Sequence, residues 1–105
     1  MLEAAEDALS FVRGRTRADL NGDRLLLRGL VQSVQVIGEA AARVSDDNRK
    51  RVDVPWGKIV GMRHILVHAY FKIDEDVLWK VVTERLPDLV EKLKAALADW
   101  PDQGL

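Results

Sequence analysis

Cysteine is absent from this chain, so it can build no disulfide framework, no thiolate zinc site and no cysteine nucleophile. That suits a reducing cytoplasm. Proline occurs three times and no Gly/Ser run is long, which leaves little room for a flexible linker. Aromatic residues are few, at three Trp, two Phe and one Tyr. Leu, Val and Ala carry the apolar content instead, which favours packed helices. No apolar run approaches the roughly 20 residues of a membrane span. The start, Met1-Leu2-Glu3-Ala4-Ala5-Glu6, lacks the basic-then-apolar order of a secretion signal. An excess of one charge is missing too. Sixteen Lys/Arg face seventeen Asp/Glu, for a net charge of −1. Any contact with nucleic acid must therefore come from a local patch.

What is present is one globular domain of 105 residues, enough for a single core. The basic candidates are Arg43, Arg49, Lys50, Arg51, Lys58 and Arg63, interrupted by Asp46, Asp47 and Asp53. They read either as a local patch or as a solvated loop flank of mixed charge.

Helical periodicity runs nearly throughout. Leu2, Ala5, Leu9 and Val12 recur at three- and four-residue steps, and Gly14 weakens the end of this first helix. Arg15 to Asp23 reads as a connection. A second helix is predicted from about Asp19 to Val44, with Leu26, Leu30, Val34, Ile37, Ala41 and Val44 on its buried face. Gly29 and Gly38 inside it suggest close helix approach. Ser45 to Val54 is a polar loop. A third helix runs from about Pro55 to Ala69, with Trp56, Ile59, Met62 and Leu66 inward. Asp74 can cap a fourth helix, which Pro87 should end or kink near Leu86. Leu89, Leu93, Ala96 and Leu97 form the last stripe. No alternating strand pattern persists. The fold class is all-α, an antiparallel bundle of four long helices with the last broken into two.

The most informative segment is Arg63-His64-Ile65-Leu66-Val67-His68-Ala69-Tyr70. An arginine can hold a phosphate through two parallel hydrogen bonds, and a histidine can move a proton near neutral pH. Arg63 and His68 are five residues apart, so they diverge by about 140° on a straight helix. Either the helix ends near His68, or the two groups converge only with help from a second subunit. Arg63 and Tyr70, seven apart, nearly overlap if the helix reaches that far. The bland alternative is a surface arginine with two partly buried histidines. His64 and His68 at i and i+4 have zinc spacing, but the chain has no third His or Cys to join them. No serine stands in a nucleophile elbow and no Gly-rich phosphate loop is present. Glu39, in Ile37-Gly38-Glu39-Ala40-Ala41, either orients Arg63 or a histidine or simply faces solvent. Trp56 and Trp79 read as core aromatics.

Arg63-x4-His68-x-Tyr70 resembles the signature of the HepT-like HEPN domains. Val36-Ile37-Gly38-Glu39-Ala40-Ala41, Val54-Pro55-Trp56, Gly61-Met62-Arg63, Val77-Leu78-Trp79 and Leu86-Pro87-Asp88-Leu89 follow the same family in order, from about Leu2 to Leu97. Two positions depart. His64 stands where the family usually has Asn, and Ala69 where Gly is common. The first helix is also short at its start against that family. The resemblance implies a HEPN-like up-and-down bundle of four to five helices. It implies a toxin of a type VII toxin–antitoxin pair: a metal-independent, cofactor-free endoribonuclease working as a homodimer. Arg63 and His68 are then catalytic at the dimer cleft, with His64 and Glu39 in support. The implied partner is an MntA-type nucleotidyltransferase that moves AMP from ATP to Tyr70. The implied substrate is RNA, with transfer RNA a fitting class, and no membrane is involved. The alternative is a non-catalytic module that binds a nucleotide or docks the nucleotidyltransferase as its antidote.

Overall fold

The computed structural model describes residues 1–68 and 75–98, with residues 63–68 described by their backbone alone. The elements are α1 (Leu2–Val12), α2 (Asp19–Gly22), α3 (Arg24–Ala42), α4 (Asp46–Arg49), α5 (Trp56–His68), α6 (Glu75–Lys80), a π-helical turn (Val81–Arg85) and α7 (Leu86–Ala98). The described residues are all-α and contain no strand. They form an antiparallel helical bundle.

Helix α3 is the central rod. It packs on α1 along one flank and on α5 along another, while α7 and the π turn close over α1. Leu26, Leu30, Val34, Ile37 and Ala41 bury the expected face of α3. Ala5 and Ala8 of α1 are fully buried, and their short side chains let α1 lie close to its neighbours. Gly29 confirms the expected close approach. A Cβ added there would meet the Phe11 ring at 3.3 and 3.4 Å. Gly14 carries the only positive φ among the described residues, +73°, and turns the chain out of α1.

Two expectations are corrected. The helix predicted from Asp19 to Val44 is broken at Asp23, which is extended (φ −112°, ψ 94°). Gly22 is a poor helix former, and the Asp23 carboxylate takes the Leu26 N–H at 3.0 Å to start α3 afresh. Likewise, Ser45 to Val54 is not wholly loop. Ser45 caps the one-turn α4 by accepting the Asn48 N–H at 3.2 Å, and Val52 and Val54 are buried beneath it.

Pro87 neither ends nor sharply breaks the last rod. Residues 75–98 stay helical, and the chain widens to a π turn over Val81–Arg85, directly before it. Proline has no N–H for the carbonyl four residues back and its ring collides with that carbonyl. A wider turn there relieves both problems without ending the helix. Val82, Leu86, Leu89, Val90 and Leu93 carry one buried stripe through the change of pitch.

Candidate active site on helix α5

Helix α5 carries the Arg63-to-His68 segment, and three contacts at its start fix where it lies. The Pro55 carbonyl accepts from Lys58 N at 3.0 Å and from Ile59 N at 3.1 Å, so Pro55 is the residue that caps the helix rather than its first member. The Trp56 indole Nε1 donates to the carbonyls of Arg49 (3.0 Å) and Val52 (3.1 Å). The Arg49 guanidinium lies over the same indole, 5.7 Å from the ring centroid, and donates to the Ala41 carbonyl at 3.0 Å. Arg49 thus adds a second bond to a carbonyl at the end of α3 that also accepts the Val44 N–H at 3.2 Å, and it clamps the start of α5 beside it. It is a tie between two helices, not a member of a solvated basic patch. Trp56 and Trp79 are half-buried at the edge of the core rather than inside it.

Since the end of α3 meets the start of α5, the two helices run antiparallel. Residues 63–68 therefore lie toward the N-terminal half of α3. Ile59 and Met62 are buried against the bundle. In helical register Arg63 follows about 100° after Met62, and His68 about 140° beyond Arg63. The helix continues through His68, so this divergence holds over the whole interval. Arg63, His64 and His68 all belong to α5, and Tyr70 lies outside the described residues, as do Ala69 and Asp74. Glu39 is exposed near the end of α3 and has no hydrogen bond or ion pair among the described residues. It shares an exposed stripe with Leu25, Arg28, Gln32, Val36 and Arg43.

A cleft of about 200 Å³ opens between the first turns of α5 and the π turn. Pro55, Lys58, Ile59 and Met62 line one wall, with Arg85 and Leu89 opposite. Glu84 and Asp88 line it as well, so its apolar floor carries a rim of mixed charge, and it ends one residue before Arg63. The other feature that the sequence did not announce is Arg17. Its Nε donates to Asp76 at 2.6 Å, and its Nη1 lies 3.5 Å from Glu75 and 3.2 Å from the Asn21 side chain. It ties the α1–α3 connection to the first turn of α6. The signal available was the alternation Arg13, Arg15, Arg17 within a segment read only as a connection.

Among the described residues no three His, Asp or Glu side chains gather to hold a metal ion, and no helix is long and apolar enough to cross a membrane.

A small all-α bundle with an Arg-x4-His helix packed antiparallel on its central rod defines a HEPN-class domain. The chain belongs to the HepT-like ribonuclease family, whose model, described as "Ribonuclease HepT-like", matches residues 1–96. It is 32% identical over 95 residues to "Putative RNase MJ1380" of Methanocaldococcus jannaschii, covering 90% of this chain and 87% of that protein. It is 33% identical over 98 residues to "Putative RNase TTE0752" of Caldanaerobacter subterraneus subsp. tengcongensis (92% and 88% covered). It is also 34% identical over 93 residues to "Probable ribonuclease HepT" of Thermococcus cleftensis (88% and 84% covered). No solved structure gives a significant match.

Proposed function

We propose that this chain is a metal-independent endoribonuclease, the toxin of a type VII toxin–antitoxin pair, acting as a homodimer. The observation that carries the reading is the family match over residues 1–96, joined to an Arg63-x4-His68-x-Tyr70 motif whose first two members ride one tethered helix.

RNA brings its own nucleophile. His68 takes the 2′-hydroxyl proton as that oxygen attacks the adjacent phosphorus, and the bond from phosphorus to the 5′-oxygen breaks. A second proton carrier returns a proton to the departing oxygen, leaving a cyclic phosphate and a 5′-hydroxyl. Arg63 pairs with the non-bridging oxygens as charge builds on them. Arg63 and His68 are about 140° apart in helical register, and in this reading two chains supply the site, each giving one group to a shared cleft. His64 supports the phosphate or carries the second proton, and Glu39, at the end of α3 remote from residues 63–68 of its own chain, serves as a supporting carboxylate from the twin chain. Tyr70 is the control point. An MntA-type nucleotidyltransferase adds AMP to it, and the new anion occupies Arg63 and repels the substrate's phosphates.

The test is purified protein on structured RNA, transfer RNA included, with and without a chelator. His68→Ala is expected to lose about 10²–10⁴ in rate with its helical spectrum intact, and Arg63→Ala to lose cleavage likewise. Tyr70→Phe should escape silencing by the partner and ATP. Cleavage that survives His68→Ala, or that a chelator abolishes, overturns the mechanism.

A further inference from the structure

At the end of the bundle where α1 stops and α3 starts, the surface is neither neutral nor closed. A concavity of about 470 Å³ is lined by Phe11, Arg13, Arg15, Leu25 and Gly29. Phe11 is 43% exposed and Leu25 84%, although both are large apolar side chains. Arg24 and Arg28 flank Leu25 on α3, at i−1 and i+3, and are exposed. The acids of this corner are already engaged. Asp19 accepts the Thr16 N–H at 2.8 Å, and Asp23 caps α3 and pairs with Arg15 at 3.2 Å. Glu75 and Asp76 are held by Arg17. Arg13, Arg24 and Arg28 have no acidic partner among the described residues. In a chain of net charge −1, this leaves a local excess of cations around an open aromatic face.

We propose that this corner is a docking surface for single-stranded RNA, in which Arg13, Arg24 and Arg28 hold successive phosphates and an unpaired base stacks on Phe11. Cations interleaved with an accessible ring suit single-stranded nucleic acid, whose every base offers a stacking face. Duplex RNA, with its bases already stacked, gains nothing from the ring. The place in the fold agrees. Helix α5 runs antiparallel to α3, so residues 63–68 lie toward the same end of the bundle as Leu25 and Arg28. RNA held on α5 is thus offered a second contact toward the same end of the bundle. The inference rests on the ribonuclease reading and extends it to how an unpaired stretch beside the scissile bond is chosen.

The test uses the full chain in two readouts. Binding of a fluorescent single-stranded oligonucleotide, and of a duplex of the same length, is followed by anisotropy across salt with the His68→Ala chain. Cleavage of a hairpin with a single-stranded flank is followed with the chain carrying both motif residues. Arg13→Gln and Arg28→Gln should each flatten the salt dependence of single-strand binding by about 0.7 in log–log slope. Phe11→Leu, which keeps an apolar side chain against Gly29, should weaken single-strand binding on the order of tenfold and leave duplex binding unchanged. In cleavage the three variants should raise KM with kcat held. Lys92→Gln on α7 should leave the slope as it was. Unchanged slopes and KM in the three variants, with binding and cleavage otherwise intact, overturn the surface and leave the nuclease reading standing. Variants that fall from dimer to monomer with binding per chain unchanged assign the face to a second copy and overturn the surface. A starting chain that neither binds nor cuts RNA overturns both readings.

Discussion

The tie between Arg49 and Trp56 can be measured as a free energy, because its parts oppose one another. Arg49→Met removes one guanidinium bond to the Ala41 carbonyl, 3.0 Å long. A bond to a charged donor contributes about 1.5–3 kcal/mol. The same change removes the cation from above the indole, worth about 0.5–1 kcal/mol where partly exposed. Against these stands Arg49 Nε, which is buried with no partner among the described residues. Such an atom costs about 1–3 kcal/mol, and methionine abolishes that cost while keeping an apolar stem over the ring. The expected net loss is about 1 kcal/mol, a fall of about 4–8 °C in Tm for a domain of this size. Trp56→Leu costs more, since it also gives up the two Nε1 bonds and the ring's packing. In a double-mutant cycle the pair should couple by about 0.5–1 kcal/mol, the part that belongs to cation on ring alone. Urea unfolding of the four proteins at one fixed protein concentration provides the measurement, since any self-association would make stability concentration-dependent. A coupling of zero, or a loss above about 3 kcal/mol for Arg49→Met, refutes the reasoning. The first would mean that ring and cation do not interact, the second that Nε is satisfied.

Asp23→Ala removes the cap of α3 and should cost about 1 kcal/mol by chemical unfolding. Asp23→Asn should recover most of it while losing the exposed pair with Arg15, which contributes little. Gly29→Ala places a Cβ 3.3 Å from the Phe11 ring, a contact a few tenths of an ångström too short. Phe11 is exposed enough to move, so the helix propensity gain of about 1 kcal/mol should prevail and Tm should rise. A fall in Tm would show the ring to be fixed.

The apolar stripes of α1, α3 and α7 were legible because burial on one side of a helix writes a period of 3.6 into the sequence. The breaks were less so. Asp23 sits within a continuous apolar repeat, and its side chain's hold on the Leu26 N–H, together with Gly22 before it, separates α2 from α3. Pro87 announced a disturbance but not its form, because a π turn differs from a kink by one residue of register. The role of Arg49 could not be read at all. Its partners, Ala41 and Trp56, lie eight residues before it and seven after, and nothing local marks a cation that is to lie over an indole. The Arg63-to-His68 segment was legible as residue types and spacing, and the structure adds the helix it rides and the neighbour that helix packs on.

That neighbour bears on how the site is completed. Helix α5 packs chiefly on α3, through the face that holds Ile59 and Met62, whereas α1 is embraced by α3, α7 and the π turn. Among the described residues, the first half of α5 leaves Gly57 and Lys58 exposed. If each site takes Arg63 from one chain and His68 from its twin, two dead variants should rescue one another. Mixing Arg63→Ala and His68→Ala chains in equal amounts, after unfolding and refolding together, makes about half of the dimers mixed. In each mixed dimer one site holds both alanines and the other holds both native groups. The mixture should then recover about a quarter of the starting activity, while each variant alone stays silent. Mass spectrometry confirms that mixed dimers have formed. Mixed dimers that remain inactive would refute a site shared in this way, and would place arginine and histidine of the same chain, or both copies of each, around one phosphate.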